Sequence, residues 1–232
     1  MSVLPNAKTP IDRCEHKSLH TRTMLAKFQD VPALNGLAAK LETATKLLLA
    51  TQDAYDAKVK ALIVLRVEVK FTDLLADRAI RIALKRAEIE DGKAGGKIVS
   101  MLFPSGSTPI IKPVGGTQVQ EMRALEGRYA EVGGIYPAAA DEGQKIEALR
   151  VRYEQALDAR RMGMEAAAQA RAARNLAKEE FLDVFAEIAN RIKAAFPRDK
   201  ATQDLFFLKD KVAADDGDAD DEASGSDTDG EP

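Results

Sequence analysis

The sequence predicts an all-α fold: an elongated antiparallel helical bundle of two long helices plus one or two shorter ones, with an irregular apolar loop at one end. Three observations predict it. Leu37 to Asp91 contains neither Gly nor Pro, and Ala138 to Phe196 contains no Pro and only Gly143 and Gly163. Ala, Leu, Lys, Arg and Glu dominate the composition, and all five favour long helices. The apolar residues of the first stretch recur every seven positions. At a rise of 1.5 Å per residue, a helix of that length makes a rod of about 80 Å.

Residues 1–29 read as an extended N-terminal arm, because Pro5 and Pro10 oppose helix. A short turn fits between Arg22 and Gln29. The first rod is expected to open around Asp30-Val31-Pro32, where a Pro in the first turn lacks only a donor that has no partner anyway. Leu34, Leu41, Leu48, Tyr55, Leu62, Val69 and Ala76 form one register. The register three residues behind is interrupted by Thr51, Lys58 and Thr72. Leu47, Leu49, Val59, Ile63, Leu74 and Leu75 then widen the apolar stripe beyond a two-helix seam, which suits a bundle of three or four helices. Gly92 supplies a C-cap.

Residues 92–116 are the irregular centre. Two apolar runs, Ile98–Phe103 and Pro109–Val114, flank a Pro-Ser-Gly-Ser-Thr turn signal. The pattern reads as a short β-hairpin or a looped apolar tongue. A short helix follows from Thr117, with Thr117 and Gln120 in capping-box spacing, and Gly133-Gly134 ends it. The second rod follows Pro137. Its first stripe is Ile146, Leu149, Tyr153, Leu157 and Met164, and its last is Phe181, Val184, Phe185, Ile188 and Ile192. Between them, 166–177 is nearly all Ala, Arg, Gln and Asn. Small side chains there imply either a close neighbouring backbone or a thin waist. Phe196-Pro197 stops the rod, and Leu205-Phe206-Phe207-Leu208 is expected to pack back on the bundle. The expected organisation is an arm over 1–29, one helical domain over 30–212 and a disordered acidic tail over 213–232.

Charge is distributed unevenly. Residues 213–232 hold nine acidic residues and no basic one. The rest of the chain holds all 34 Lys and Arg against 28 Asp and Glu, a balance of +6. A basic surface is therefore expected on the body, with Arg78, Arg81, Lys85, Arg86, Arg150 and Arg152 as its candidates for polyanion contact. Acidic residues interleave with them, so a solvated, salt-bridged face is the commoner meaning. The tail suits solubilisation, or competition for that basic surface.

Motifs for chemistry are scarce. Cys14, His16 and His20 are the only Cys and His residues. Three soft ligands on one short segment fall short of a structural zinc site, so no metal is expected. Gly92-Lys93-Ala94-Gly95-Gly96-Lys97 follows a helix and is followed by Ile98, unlike a phosphate loop. The commonest general base is missing from the bundle, and no nucleophile or paired-carboxylate constellation stands out. No enzyme activity and no cofactor are expected.

With a single cysteine, no secretory signal and no run of 18 apolar residues, the expected location is the cytoplasm. The leading expectation is a structural or protein-interaction component of a larger assembly. Leu102, Phe103, Ile110, Ile111, Phe206 and Phe207 are its expected contact residues. A polyanion-binding protein modulated by its tail is the alternative. The layout of an apolar tongue between long helices is similar to that of α-helical pore-forming toxins. That resemblance covers the arrangement alone and implies, as a lesser alternative, a membrane-active loop over 98–114.

Overall fold

The computed structural model describes residues 4–208. The acidic tail expected over 213–232 lies outside the described residues. Seven helices are described: α1 (Ile11–Leu25), α2 (Leu37–Glu90), α3 (Lys97–Leu102), α4 (Thr108–Ile111), α5 (Gly116–Glu131), α6 (Ala139–Ala195) and α7 (Lys200–Leu205). No strand occurs among the described residues, and the all-α bundle is observed. The chain divides into two compact units, Met1–Thr45 with Phe181–Pro232, and Lys46–Glu180.

In the first unit, α1 replaces the expected extended arm. Pro10 stands at its N-cap, where a missing N–H is harmless. Its inward face is Cys14, Lys17, Ser18, Thr21 and Leu25, at helical spacing but mostly polar. The small hydroxyls are satisfied inside. Thr45 Oγ1 donates to the Leu41 carbonyl at 2.7 Å, which leaves Ser18 Oγ to donate to Thr45 Oγ1 at 2.6 Å. Thr21 Oγ1 donates to the Phe206 carbonyl at 2.7 Å.

The unit's apolar core comes from both long helices. Leu37, Leu41 and Ala44 of α2 and Phe181, Phe185, Ile188, Ala189 and Ile192 of α6 are buried. Phe206 follows α7 and packs against Phe28 and Phe196, with ring centroids 4.8 and 5.8 Å away. The aromatic pair after Leu205 does pack back, as its sequence suggests. Asp199 caps α7 by accepting from the Thr202 amide.

The start of α2 also differs from expectation. Pro32–Leu34 is a separate 3-10 turn, and Gly36 at φ +79° re-aims the chain before Leu37. Its end is as expected, with Gly92 in the left-handed region at φ +67°.

In the second unit, α2 and α6 run antiparallel: Arg86 pairs with Glu142, Glu68 with Arg152, and Tyr55 stacks under Arg174. One core cluster joins Ala76, Ile80, Ala83 and Ala87 of α2 to residues of α3, α4, α5 and α6. Alanines on the inner face of α2 let the short helices approach closely. A second cluster holds Val69, Val119, Tyr153 and Ala156. Where α6 carries its alanine-rich segment, only Ala167 and Ala177 are buried, so the expected thin waist is present. Just before that segment, a Cβ on Gly163 would stand 2.5 Å from Leu65 Cδ1.

The irregular centre is not a hairpin. It forms α3 and α4, because Asp91 folds back to cap α3. Its two carboxylate oxygens accept from the amides of Ile98 (3.0 Å) and Val99 (2.8 Å). Gly96 makes room for this, since a Cβ there would lie 2.3 Å from Asp91 Cγ. The same contact explains why the Gly-Lys run is no phosphate loop. A carboxylate of the chain already occupies the two amides. The Thr117–Gln120 capping box does not form, because α5 begins at Gly116 with no side-chain cap.

Candidate protein-interaction surface

The residues expected to make protein contacts are placed inside. Leu102, Phe103, Ile110 and Phe206 are 0–3% exposed and Phe207 is 7% exposed. Ile111 is half-buried and packs against the second unit's core. The short helices α3 and α4 turn Leu102, Phe103, Ile110 and Ile111 inward, while Phe206 and Phe207 pack on the aromatic rings of the first unit, so all six are packing residues rather than an exposed contact surface. The same burial removes the apolar tongue on which the toxin-like arrangement depended. Among the described residues, no helix is long and apolar enough to cross a membrane.

The basic candidates are mostly neutralised locally. Arg86 donates to both carboxylate oxygens of Glu142, which also accepts from Lys145. Burial alone would raise the Glu142 pKa, but these two cations hold it below the usual carboxylate range. Arg150 is buried, bonded to Glu126 at 2.6 Å and Glu154 at 3.0 Å. Arg152 pairs with Glu68 at 2.8 Å, and Lys85 with Glu88 at 2.7 Å. Arg81 lies 3.8 Å from Asp77, and Arg78 is exposed. This is a salt-bridged helix face, with little positive charge left to meet phosphates.

Cys14, His16 and His20 are not brought together. On α1, Cys14 faces inward, while His16 and His20 lie roughly opposite. The His20 ring nitrogen meets the Leu205 carbonyl at 3.0 Å. No cluster of three metal-ligating residues occurs among the described residues.

One buried tyrosine, Tyr153, organises polar contacts. The Tyr153 hydroxyl donates to Asp73 at 3.0 Å and accepts from the Gly115 amide at 2.8 Å, and burial foremost pushes its pKa up to about 12. Beside it, Gln118 donates to Asp77, whose pKa is raised, chiefly by burial. Burial likewise raises Tyr129, which sits beside Tyr136 with ring centroids 6.4 Å apart. These groups tie α2, α5 and α6 together.

The most exposed apolar feature is on α2. Ile63, Val64, Val67, Phe71 and Leu74 are 54, 68, 60, 46 and 60% exposed. At 100° per residue they fall within one stripe about 100° wide. Leu62, Val69, Ala76 and Ala83 are buried on the opposite side. α2 thus carries two apolar seams back to back, one against its own fold and one facing out. Steps of four and three residues mark the outer seam: Lys60, Val64, Val67, Phe71, Leu74, Arg78. Single exposed apolar residues are ordinary, but a continuous outward run over more than three turns is not.

Charged residues flank it, with Lys60 at its N-terminal edge. Asp53 and Asp56 lie on the same face N-terminal to the apolar run. Arg78, Arg81 and Lys85 lie C-terminal to it. Asp53 is exposed, and Asp56 accepts from Gln52. The Arg152 guanidinium lies 5.6 Å from the Phe71 ring centroid and borders the stripe toward α6. Sequence periodicity singles out Ile63 and Leu74, but it cannot tell which of two overlapping registers faces the core. No family model, no curated protein and no solved structure matches the chain.

Proposed function

We propose that this chain is a non-catalytic structural or protein-interaction component, a subunit of a larger assembly. One observation carries the reading: the outward apolar seam of α2, centred on Val64, Val67, Phe71 and Leu74, opposite the seam that holds its own core. Burying such a stripe removes apolar area from water at about 25 cal/mol per Å², and a helix face offers that gain to another helix. The single, buried Cys14 suits a reducing compartment, and we place the protein in the cytoplasm.

The test is the native mass of the protein extracted gently from its own source, as wild type and as Val67→Glu/Leu74→Glu. A wild-type mass well above 25.2 kDa that falls to the monomer value in the variant supports the reading. A wild-type monomer, or an assembly indifferent to the variant, overturns it.

A further inference from the structure

The outer seam of α2 has chemistry that selects its occupant. Reading from Asp53 to Arg78, the stripe begins with an exposed acid, runs through Lys60 and the apolar residues, and ends with an exposed base. Against a parallel copy of itself, Arg78 would meet Arg78 and Asp53 would meet Asp53. Against an antiparallel copy, the acidic end meets the basic end twice over, once on each side of a twofold axis. An isologous contact needs this self-complementary order.

We propose that the occupant is a second copy of this chain, docked as an antiparallel α2–α2 seam. The inference rests on the interaction reading above and names its partner. The register follows from the four-and-three spacing, which in an antiparallel pair sets residues of one heptad position against the other. With Val64 of one copy opposite Val67 of the other, Lys60 lies opposite Phe71, Ala57 opposite Leu74 and Asp53 opposite Arg78. Each pairing suits its partners. The two valines close the centre. Ala57 leaves space for Leu74. The Lys60 stem lies along the Phe71 ring, with its ammonium at the edge in water. Asp53 and Arg78 close each end, and both are exposed.

From Asp53 to Arg78 the seam spans about 38 Å, between three and four heptads, the length at which such pairing becomes stable. The stripe runs wholly within the second unit, so the seam needs no element outside Lys46–Glu180. Thr51, Lys58 and Thr72 do not interrupt it, because they lie off this face.

The test uses the purified full chain alone, by sedimentation over a concentration series. Wild type should reach twice 25.2 kDa. Asp53→Arg and Arg78→Asp should each weaken association by about tenfold, since each change turns two attractive pairs repulsive. Asp53→Arg/Arg78→Asp in one chain should recover most of that loss, because the swapped ends again attract. Far-UV circular dichroism should be unchanged in all three, as both positions are exposed. A purified wild type that stays monomeric at every concentration overturns the second-copy proposal, as does a double variant no better than the singles. If that monomer nonetheless runs in a large complex from its source, and Val67→Glu/Leu74→Glu breaks it, the interaction reading stands and only the second copy is lost.

Discussion

Phe103→Ala separates the core placement of the central segment from a surface role. Phe103 is 3% exposed and belongs to the cluster that joins α2, α3, α4, α5 and α6. Truncating a buried Phe removes its transfer free energy and leaves a cavity, together about 3–5 kcal/mol. The short helices α3 and α4 have room to settle, so the low end, about 3 kcal/mol, is expected. With a urea m-value of about 2 kcal/mol per M, the midpoint should fall by about 1.5 M. The chain supplies its own probe. It has no Trp, and Tyr55, Tyr129, Tyr136 and Tyr153 all lie in the second unit. Tyrosine fluorescence therefore reports that unit alone, while far-UV circular dichroism reports both. The tyrosine midpoint should drop and the native mass should stay unchanged. A midpoint moved by less than the equivalent of about 1 kcal/mol, together with a changed mass, would return Phe103 to the surface and refute the packing argument.

Two further outcomes follow from the polar contacts. Glu142→Gln should destabilise the second unit at neutral pH by about 1–2 kcal/mol, since Arg86 and Lys145 lose their shared anion. The Glu142 carboxyl titrates below its ordinary 4.5 in the folded chain, so its contribution is full above that value and fades as pH falls through the folded one. The wild-type advantage over Glu142→Gln in tyrosine-detected urea midpoints should shrink well below pH 4.5, and an advantage constant with pH refutes the linkage. Gly96→Ala should cost about 1–2 kcal/mol through the Asp91 cap, although its φ of −72° accepts Ala. Asp91→Ala should add little on top of it, because both act through one contact, and full additivity in the double variant refutes that.

Much of the fold is legible in the sequence because long helices announce themselves by what they lack. The Pro-free stretches, the first also without Gly, bracket α2 and α6 closely, and Gly92 and Pro197 mark their ends. α1 escaped notice for a physical reason. Its buried face is Cys14, Lys17, Ser18, Thr21 and Leu25, so its periodicity carries almost no hydrophobic signal. The Ser18 and Thr21 hydroxyls are satisfied by Thr45 and by the Phe206 carbonyl, both distant in sequence. The centre, 92–116, misled for a related reason. Short apolar runs between turn signals look alike whether they become strands or helical turns, and a side chain outside the run, Asp91, decided the matter.

By itself, the sequence determined the helix class, the end of α2 and both ends of α6, because backbone propensity and chain-breaking residues act locally. Tertiary structure alone decided which apolar residues are core. Leu102, Phe103, Ile110, Phe206 and Phe207 have the composition of a contact patch and are buried, while Val64, Val67, Phe71 and Leu74 have the composition of a core and face outward. Two apolar registers two residues apart on one helix point in nearly opposite directions. Which of them is covered depends on where α3, α4, α5 and α6 fall, and no local pattern encodes that.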